Sequence, residues 1–354
     1  MHKNNILILT SDVMPGGISQ MIAIHTMAFI NLNFKVKLII PKSSDAKRSV
    51  KNILKKSSYK KDHLKIVEYS KLQFYLSKLI KSNFYKKHMQ KIDYCFVHNA
   101  RLIKYVKKYT DKPLIAINHT GKLNQIKYYK YADLVLSVNK TISKQLIKSG
   151  VDKDKSIVCP NAIDKLPILN TLKNNNKNDE LVIGAMGRLV EKKGFDIFIE
   201  SIKILQNRNV KFKALIAGDG ELLEYLKSIS KDVPQIEFLG WVKNKSDFYS
   251  IIDIFCQPSN FEPFGLTLIE AMSYGLPVIS TATEGPIEII NSSGKNGFII
   301  PLKDHFQMAE IIYKLIEDKN KRIKIGKNAR IHIEKNYTIQ NLQNSLLKCI
   351  NRLS

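Results

Sequence analysis

Ser259-Asn260-Phe261-Glu262-Pro263-Phe264-Gly265-Leu266-Thr267-Leu268-Ile269-Glu270-Ala271 follows an apolar run at residues 254–257. Run, loop and apolar-periodic segment together read as strand, turn and helix, the building unit of a parallel sheet. The helix starts at about Gly265, so Glu262 lies in the loop before it and Glu270 lies more than one turn inside it. A helix amino end offers unbonded amides and the positive end of its dipole, which suits an anion. A carboxylate accepts hydrogen bonds from pairs of sugar hydroxyls. Two of them eight residues apart could hold a hexose and a ribose, with phosphates on the amides between. The same letters also fit a helix with two ordinary glutamates, one of them a dipole partner. Spacing does not choose between these readings.

Around this segment the second half repeats the pattern. Residues 181–186, 213–217, 236–239, 254–257 and 277–280 read as strands, and 194–207, 221–230, 266–274, 305–317 and 338–352 as helices. In the first half, strand runs fall at 6–9, 36–40, 65–68, 94–97, 114–117 and 134–138. Helices are expected from about Ile18, over 71–81 and up to about Gly150. Pro160, Pro167 and the polar run 173–179 mark an interdomain linker within 160–180. The expected fold class is α/β, with two Rossmann-like doubly wound domains facing across a cleft. Their expected bounds are 1–165 and 166–336, with a last helix in 337–354 crossing back to the first domain.

Other strand-to-helix loops carry charge. Gly187-Arg188-Leu189-Val190-Glu191-Lys192-Lys193-Gly194 follows the strand at 181–186. Arg188 brings a planar fork of donors and Lys193 a point charge, a combination suited to a diphosphate. An exposed charged loop would look the same. Ala217-Gly218-Asp219-Gly220 is a second tight turn, of a kind common before any helix.

Taken together, these motifs resemble glycosyltransferase family 4, the retaining enzymes of the GT-B fold with an E-x7-E motif. Glu262-Pro263-Phe264-Gly265 through Glu270 is similar to that motif. The Gly187–Gly194 loop, Ala217-Gly218-Asp219-Gly220 and Thr283-Glu284-Gly285-Pro286-Ile287-Glu288 stand in the family's order. Pro15-Gly16-Gly17 and Asn118-His119-Thr120-Gly121 fit as well. The resemblance implies a catalytic set of Arg188, Lys193, Glu262 and His119. Arg188 and Lys193 would hold the diphosphate of a nucleotide sugar, Glu262 the sugar hydroxyls and Glu270 the ribose. Gly187, Gly218, Phe264, Gly265, Leu266 and Thr267 would line the donor site, and Gly16 and Gly17 would reach the phosphates from the first domain. His119 would stand near the reacting carbon; without the resemblance it reads as a core or turn histidine, as do His25 and His98. The implied activity is retaining transfer of a hexose-type sugar, from a UDP-sugar in most relatives, to an envelope glycan or lipid-linked acceptor such as a lipopolysaccharide or capsule precursor. No His/Cys/carboxylate cluster in the sequence has metal-ligand spacing, so no metal or other cofactor is expected.

Charge bears on partners. Of the net +26, residues 1–165 hold 32 basic and 10 acidic residues, a net of +22, and the rest of the chain only +4. Residues 42–91 alone carry 15 basic and 3 acidic residues, with Tyr59, Tyr69, Phe74, Tyr75, Phe84 and Tyr85 among them. Either a Lys-rich solvated face or a docking patch for an anionic membrane surface reads this way. A nucleic-acid-binding module is the rival class, but no helix-turn-helix, zinc-finger or RNP signature accompanies the charge, so no nucleic acid is expected. A GT-B relative of other chemistry, such as a nucleotide-sugar epimerase, is opposed by the E-x7-E segment. Residues 13–34 lack charge but include Pro15, Gly16, Gly17, His25, Asn31 and Asn33, which reads as a buried helix rather than a span. Four scattered cysteines without a CxxC pair fit free thiols in a reducing cytoplasm. The expected location is cytoplasmic, peripheral to the inner membrane if the basic face docks there.

Overall fold

The computed structural model describes residues 5–55, 61–70, 73, 83–168, 180–208 and 210–353. The chain divides into two units, Met1–Asp164 with Thr338–Ser354, and Lys165–Tyr337. Each is built on one all-parallel sheet.

The first sheet joins β1 (Asn5–Leu9), β2 (Lys35–Pro41), β3 (Leu64–Tyr69), β4 (Tyr94–Val97), β5 (Leu114–Asn118), β6 (Leu134–Ser137) and β7 (Ser156–Val158) in the order 3-2-1-4-5-6-7. Parallel strands are covered by helices on both faces, so their interiors are continuously apolar rather than alternating. Every residue of β4 and β5 is buried. The Gly17–Asn31 helix explains the uncharged stretch at 13–34: ten of its 15 residues are buried, on all sides of the helix. At 1.5 Å per residue it is too short to cross a bilayer. Among the described residues no helix is long and apolar enough to do so.

The Ile339–Asn351 helix belongs to this first unit. A capping box between Thr338 and Asn341 starts it, Gln343 Nε2 donates to the carbonyl of Ala28 at 3.2 Å, and Thr338 bridges to Ile163.

The second sheet joins β8 (Leu181–Met186), β9 (Phe212–Ala217), β10 (Ile236–Gly240), β11 (Ile254–Gln257), β12 (Val278–Thr281) and β13 (Phe298–Ile300) in the order 3-2-1-4-5-6. Strand order reverses between β1 and β4 in the first unit and between β8 and β11 in the second. In open parallel sheets the crevice at that reversal, beyond the carboxyl ends of the strands, is where ligands bind.

The sequence pattern omits β7, β13 and the Lys319–Asn336 helix. Pro41 is the last residue of β2 and pairs in register with Tyr69. The helix expected over 71–81 and the polar run of the linker fall outside the described residues, as do Tyr59, Phe74 and Tyr75 of the basic segment.

Candidate functional site

In the second unit, the loops leaving β8, β9, β11 and β12 lock onto one another through backbone contacts. The amide of Gly187 donates to the carbonyl of Ala217 at 3.0 Å, and that of Leu189 to Asp219 at 2.9 Å. Gly218 makes this clasp possible. Its φ is 146°, and a Cβ there would lie 1.8 Å from the Gly187 carbonyl oxygen. Gly194, at φ 61°, leaves a Cβ only 2.2 Å from the carbonyl oxygen of Pro258, so the Lys193 turn sits flush on the loop after β11. The amides of Asn260 and Phe261 then donate to the carbonyl of Lys192 at 2.9 and 3.1 Å. From the other side, the amide of Gly285 donates to the carbonyl of Glu262 at 3.0 Å.

The backbone at Glu262 is thus fixed from two sides, and its side chain meets a partner 69 residues away. Lys193 Nζ lies 2.5 Å from Glu262 Oε2, with the two side chains 23% and 12% exposed. Arg188 is exposed on the same loop as Lys193. Gly265 precedes the Leu266–Ser273 helix, and its carbonyl accepts from the amides of Leu268 and Ile269 at 3.1 Å each. The first amides of the helix have no such intrahelical acceptor by construction. Gln257 Nε2 holds the Thr267 hydroxyl at 2.9 Å, and buried Phe264 packs edge-on to Tyr337.

Glu270 is 9% exposed on that helix. A carboxylate so placed needs partners. It accepts from Lys245 Nζ at 2.8 and 3.0 Å and from the Tyr249 hydroxyl at 2.9 Å. Burial, then the Glu270 charge and this hydrogen bond, raise the Tyr249 phenol well above its ordinary value, so it stays a donor. Lys245 and Tyr249 sit on the Lys245–Ile251 helix, which the sequence reading did not identify. Their signal in the sequence was only an i, i+4 pair of a cation and an aromatic, which is common on any helix.

In the first unit, Gly16 precedes the Gly17–Asn31 helix, and its carbonyl accepts from the amide of Gln20 at 3.1 Å. His119 directly follows β5, and His98 directly follows the neighbouring strand β4. The two rings meet: His98 Nδ1 lies 3.0 Å from His119 Nε2. His25, from the helix after β1, packs edge-on to His98 with ring centroids 5.0 Å apart. Burial and, after it, the charge of His119 lower the His25 imidazole to about 3. Burial alone lowers His119 to about 4, and burial with both neighbouring imidazoles takes His98 well below its ordinary value. All three are neutral at physiological pH.

Of the sequence-predicted residues, Gly187, Arg188, Lys193, Gly218, Glu262, Phe264, Gly265, Leu266, Thr267 and Glu270 lie on the loops or the helix beyond the carboxyl ends of β8, β9 and β11. Gly16, Gly17 and His119 lie at the corresponding end of the first unit's sheet. The sequence reading left His25 and His98 as separate structural residues; the structure joins them to His119.

This arrangement has known counterparts. Residues 170–332, nearly the whole second unit, match the family model of glycosyl transferases group 1. Over those residues the chain is similar to that class. The chain is 28% identical over 263 residues to the capsular polysaccharide biosynthesis glycosyltransferase CapM of Staphylococcus aureus, covering 65% of this chain and 68% of that protein. It is 25% identical over 206 residues to the lipopolysaccharide core biosynthesis glycosyltransferase LpsE of Rhizobium meliloti, covering 57% of this chain and 59% of that one. The crystal structure of HepE from Anabaena, in complex with UDP and glucose, superposes with a TM-score of 0.80 at 18% identity, over 99% of this chain and 100% of that one. At such identity the likeness speaks for the fold alone, which is GT-B: two Rossmann-like parallel-sheet units.

Proposed function

We propose that the protein is a retaining glycosyltransferase that moves a hexose from a UDP-sugar to an envelope glycan or lipid-linked acceptor of the lipopolysaccharide or capsule type. The observation that carries this reading is the Lys193–Glu262 pair. Two loops fixed by backbone contacts bring a cation and a carboxylate together at the start of the Leu266–Ser273 helix. UDP and glucose in HepE support the donor class, and the names of CapM and LpsE support the acceptor class.

In this reading Arg188 and Lys193 bind the diphosphate. Glu262 accepts hydrogen bonds from the sugar hydroxyls and Glu270 from the ribose. The amides of Phe264, Gly265, Leu266 and Thr267, with Gly187 and Gly218, line the donor, and the Gly16-Gly17 turn serves the phosphates. The bond from the anomeric carbon to the phosphate oxygen breaks, and the bond to the acceptor oxygen forms on the same face. The acceptor's proton passes to the departing phosphate. Fixed cations and amides then meet the charge that develops on the leaving diphosphate, a preorganised electrostatic contribution. No metal or other cofactor is assigned a part. His119 stands near the reacting carbon in this assignment. The cationic excess of the first 165 residues fits an anionic membrane surface carrying the acceptor.

The test is nucleotide release from a panel of UDP- and GDP-hexoses, with and without membrane extract. Release of UDP from one sugar, stimulated by extract, is expected. Release of GDP alone, or no release from any sugar under either condition, would overturn the reading.

A further inference from the structure

We infer that His98 is a positioning residue that fixes His119 as its Nδ1–H tautomer, so that His119 acts as a neutral hydrogen-bond donor. The inference rests on the glycosyltransferase reading only for the use made of that donor; the tautomer itself follows from geometry.

Two neutral imidazoles joined by one hydrogen bond share one proton between the bonded nitrogens. Here those nitrogens are His98 Nδ1 and His119 Nε2, 3.0 Å apart. The ring planes differ by 28°, and the centroids are 5.1 Å apart. That separation is the hydrogen-bond length plus the distance from each nitrogen to its ring centre, as an edge-linked pair requires. Only two arrangements exist. If His119 donates from Nε2, His98 accepts at Nδ1 and carries its own proton on Nε2. If His98 donates from Nδ1, its Nε2 is a bare lone pair, and His119 keeps its proton on Nδ1.

The surroundings of His98 Nε2 select between them. That atom is buried, with no hydrogen-bond partner among the described residues, in a residue only 3% exposed. A buried N–H without an acceptor is rarer than an under-satisfied acceptor. The proton therefore sits on His98 Nδ1 and is donated to His119. His25 packs against the His98 ring in a T-shaped arrangement, with centroids 5.0 Å apart. His119 is left with its single proton on Nδ1, as a donor for a hydroxyl oxygen, and its Nε2 is engaged and unavailable as a base.

The test uses full-length protein with ¹⁵N-labelled histidine, whose long-range ring spectra separate bare from protonated nitrogens. In the wild type at neutral pH, His119 should show a protonated Nδ1 and a bare Nε2. In His98→Phe the tautomers should mix or reverse. In His98→Asn, whose amide can replace the Nδ1–H donor, the wild-type pattern should persist. Turnover should fall about tenfold in His98→Phe, with the donor KM little changed and recovery in His98→Asn. A protonated Nε2 on wild-type His119, or an unchanged tautomer in a folded His98→Phe protein, overturns the inference. If the Phe variant does not fold, the wild-type and Asn spectra still decide. Absence of sugar transfer by the wild type would overturn the glycosyltransferase reading and leave the spectra as an independent test.

Discussion

Lowering the pH from 8 to 5 should unfold the first unit ahead of the second. His25, His98 and His119 are held neutral in the folded protein, with His25 lowered to about 3 and His119 to about 4. In the unfolded chain each returns to about 6.5. A group whose folded value is depressed in this way takes up its proton only on unfolding. Its stabilising effect is complete above pH 6.5 and declines as pH falls, until the folded form titrates near 4 for His119 and near 3 for His25. Each proton taken up only by the unfolded state removes about 1.4 kcal/mol per pH unit. Between pH 6.5 and 5 that is about 2 kcal/mol for His25 and the same for His119, about 4 kcal/mol together, with His98 acting in the same direction, against a usual total of about 5–15 kcal/mol. Stopping at pH 5 stays above the ordinary carboxylate range. In the second unit, among the described residues, His332 shifts in the same direction, one histidine against four, since His88 of the first unit is lowered as well. Trp241, the only tryptophan, lies in the second unit and is 51% exposed. Urea titrations followed by circular dichroism report both units, and Trp241 fluorescence reports the second. At pH 5 the two curves should separate, with dichroism lost first. In His25→Phe the loss between pH 8 and 5 should shrink by about 2 kcal/mol. Coincident curves at pH 5, or a His25→Phe protein as acid-sensitive as the wild type, would refute the burial argument.

Lys193→Ala and Arg188→Ala should each reduce nucleotide release about a hundredfold or more while leaving the urea midpoint of Trp241 fluorescence near the wild-type value; near-normal kinetics in either would remove its assigned role. Gly218→Ala places a methyl 1.8 Å from the Gly187 carbonyl oxygen at a φ of 146°, so the same midpoint should drop by the equivalent of about 3 kcal/mol, and an unchanged midpoint would show that the two loops are not clasped as described. Tyr249→Phe takes one of the donors from Glu270. The nucleotide-sugar KM should then rise about tenfold with kcat little affected, and an unchanged KM would separate Glu270 from donor binding.

How much of this could be read from the letters depends on what each element buries. Runs such as Tyr94–Val97 and residues 254–256 are buried along their whole length, so they stand out as unbroken apolar stretches. The three residues of Ser156–Val158 are only half-buried and leave no such mark. The Lys319–Asn336 helix buries only Ile325, Gly326, Ala329 and Ile333 among eighteen residues, many of them charged, and its apolar stripe is too thin to see. The loops beyond β8, β9 and β11 were legible because glycines and charges cluster within short spans. The partners of those loops were not. Lys245 and Tyr249 lie 25 and 21 residues before Glu270 and meet it only because their helix packs there. The three histidines come from three separate elements, and strand order 1-4-5-6 brings His98 beside His119 across a gap of 21 residues.

The two units share a strand order and use its reversal point in opposite electrostatic ways. Beyond β8 and β11 stand ion pairs, Lys193 with Glu262 and Lys245 with Glu270, whose charges are compensated in place. Beyond β4 and β5 stand imidazoles, kept neutral by burial. Yet the first 165 residues carry +22 of the net charge. Salt screens exposed charge over about 10 Å at moderate ionic strength. An excess of this sign can gather an anionic surface from a distance. Docking of the first unit should thus weaken with added salt, while the tautomer and neutrality of its histidines, set by burial and one hydrogen bond, should not.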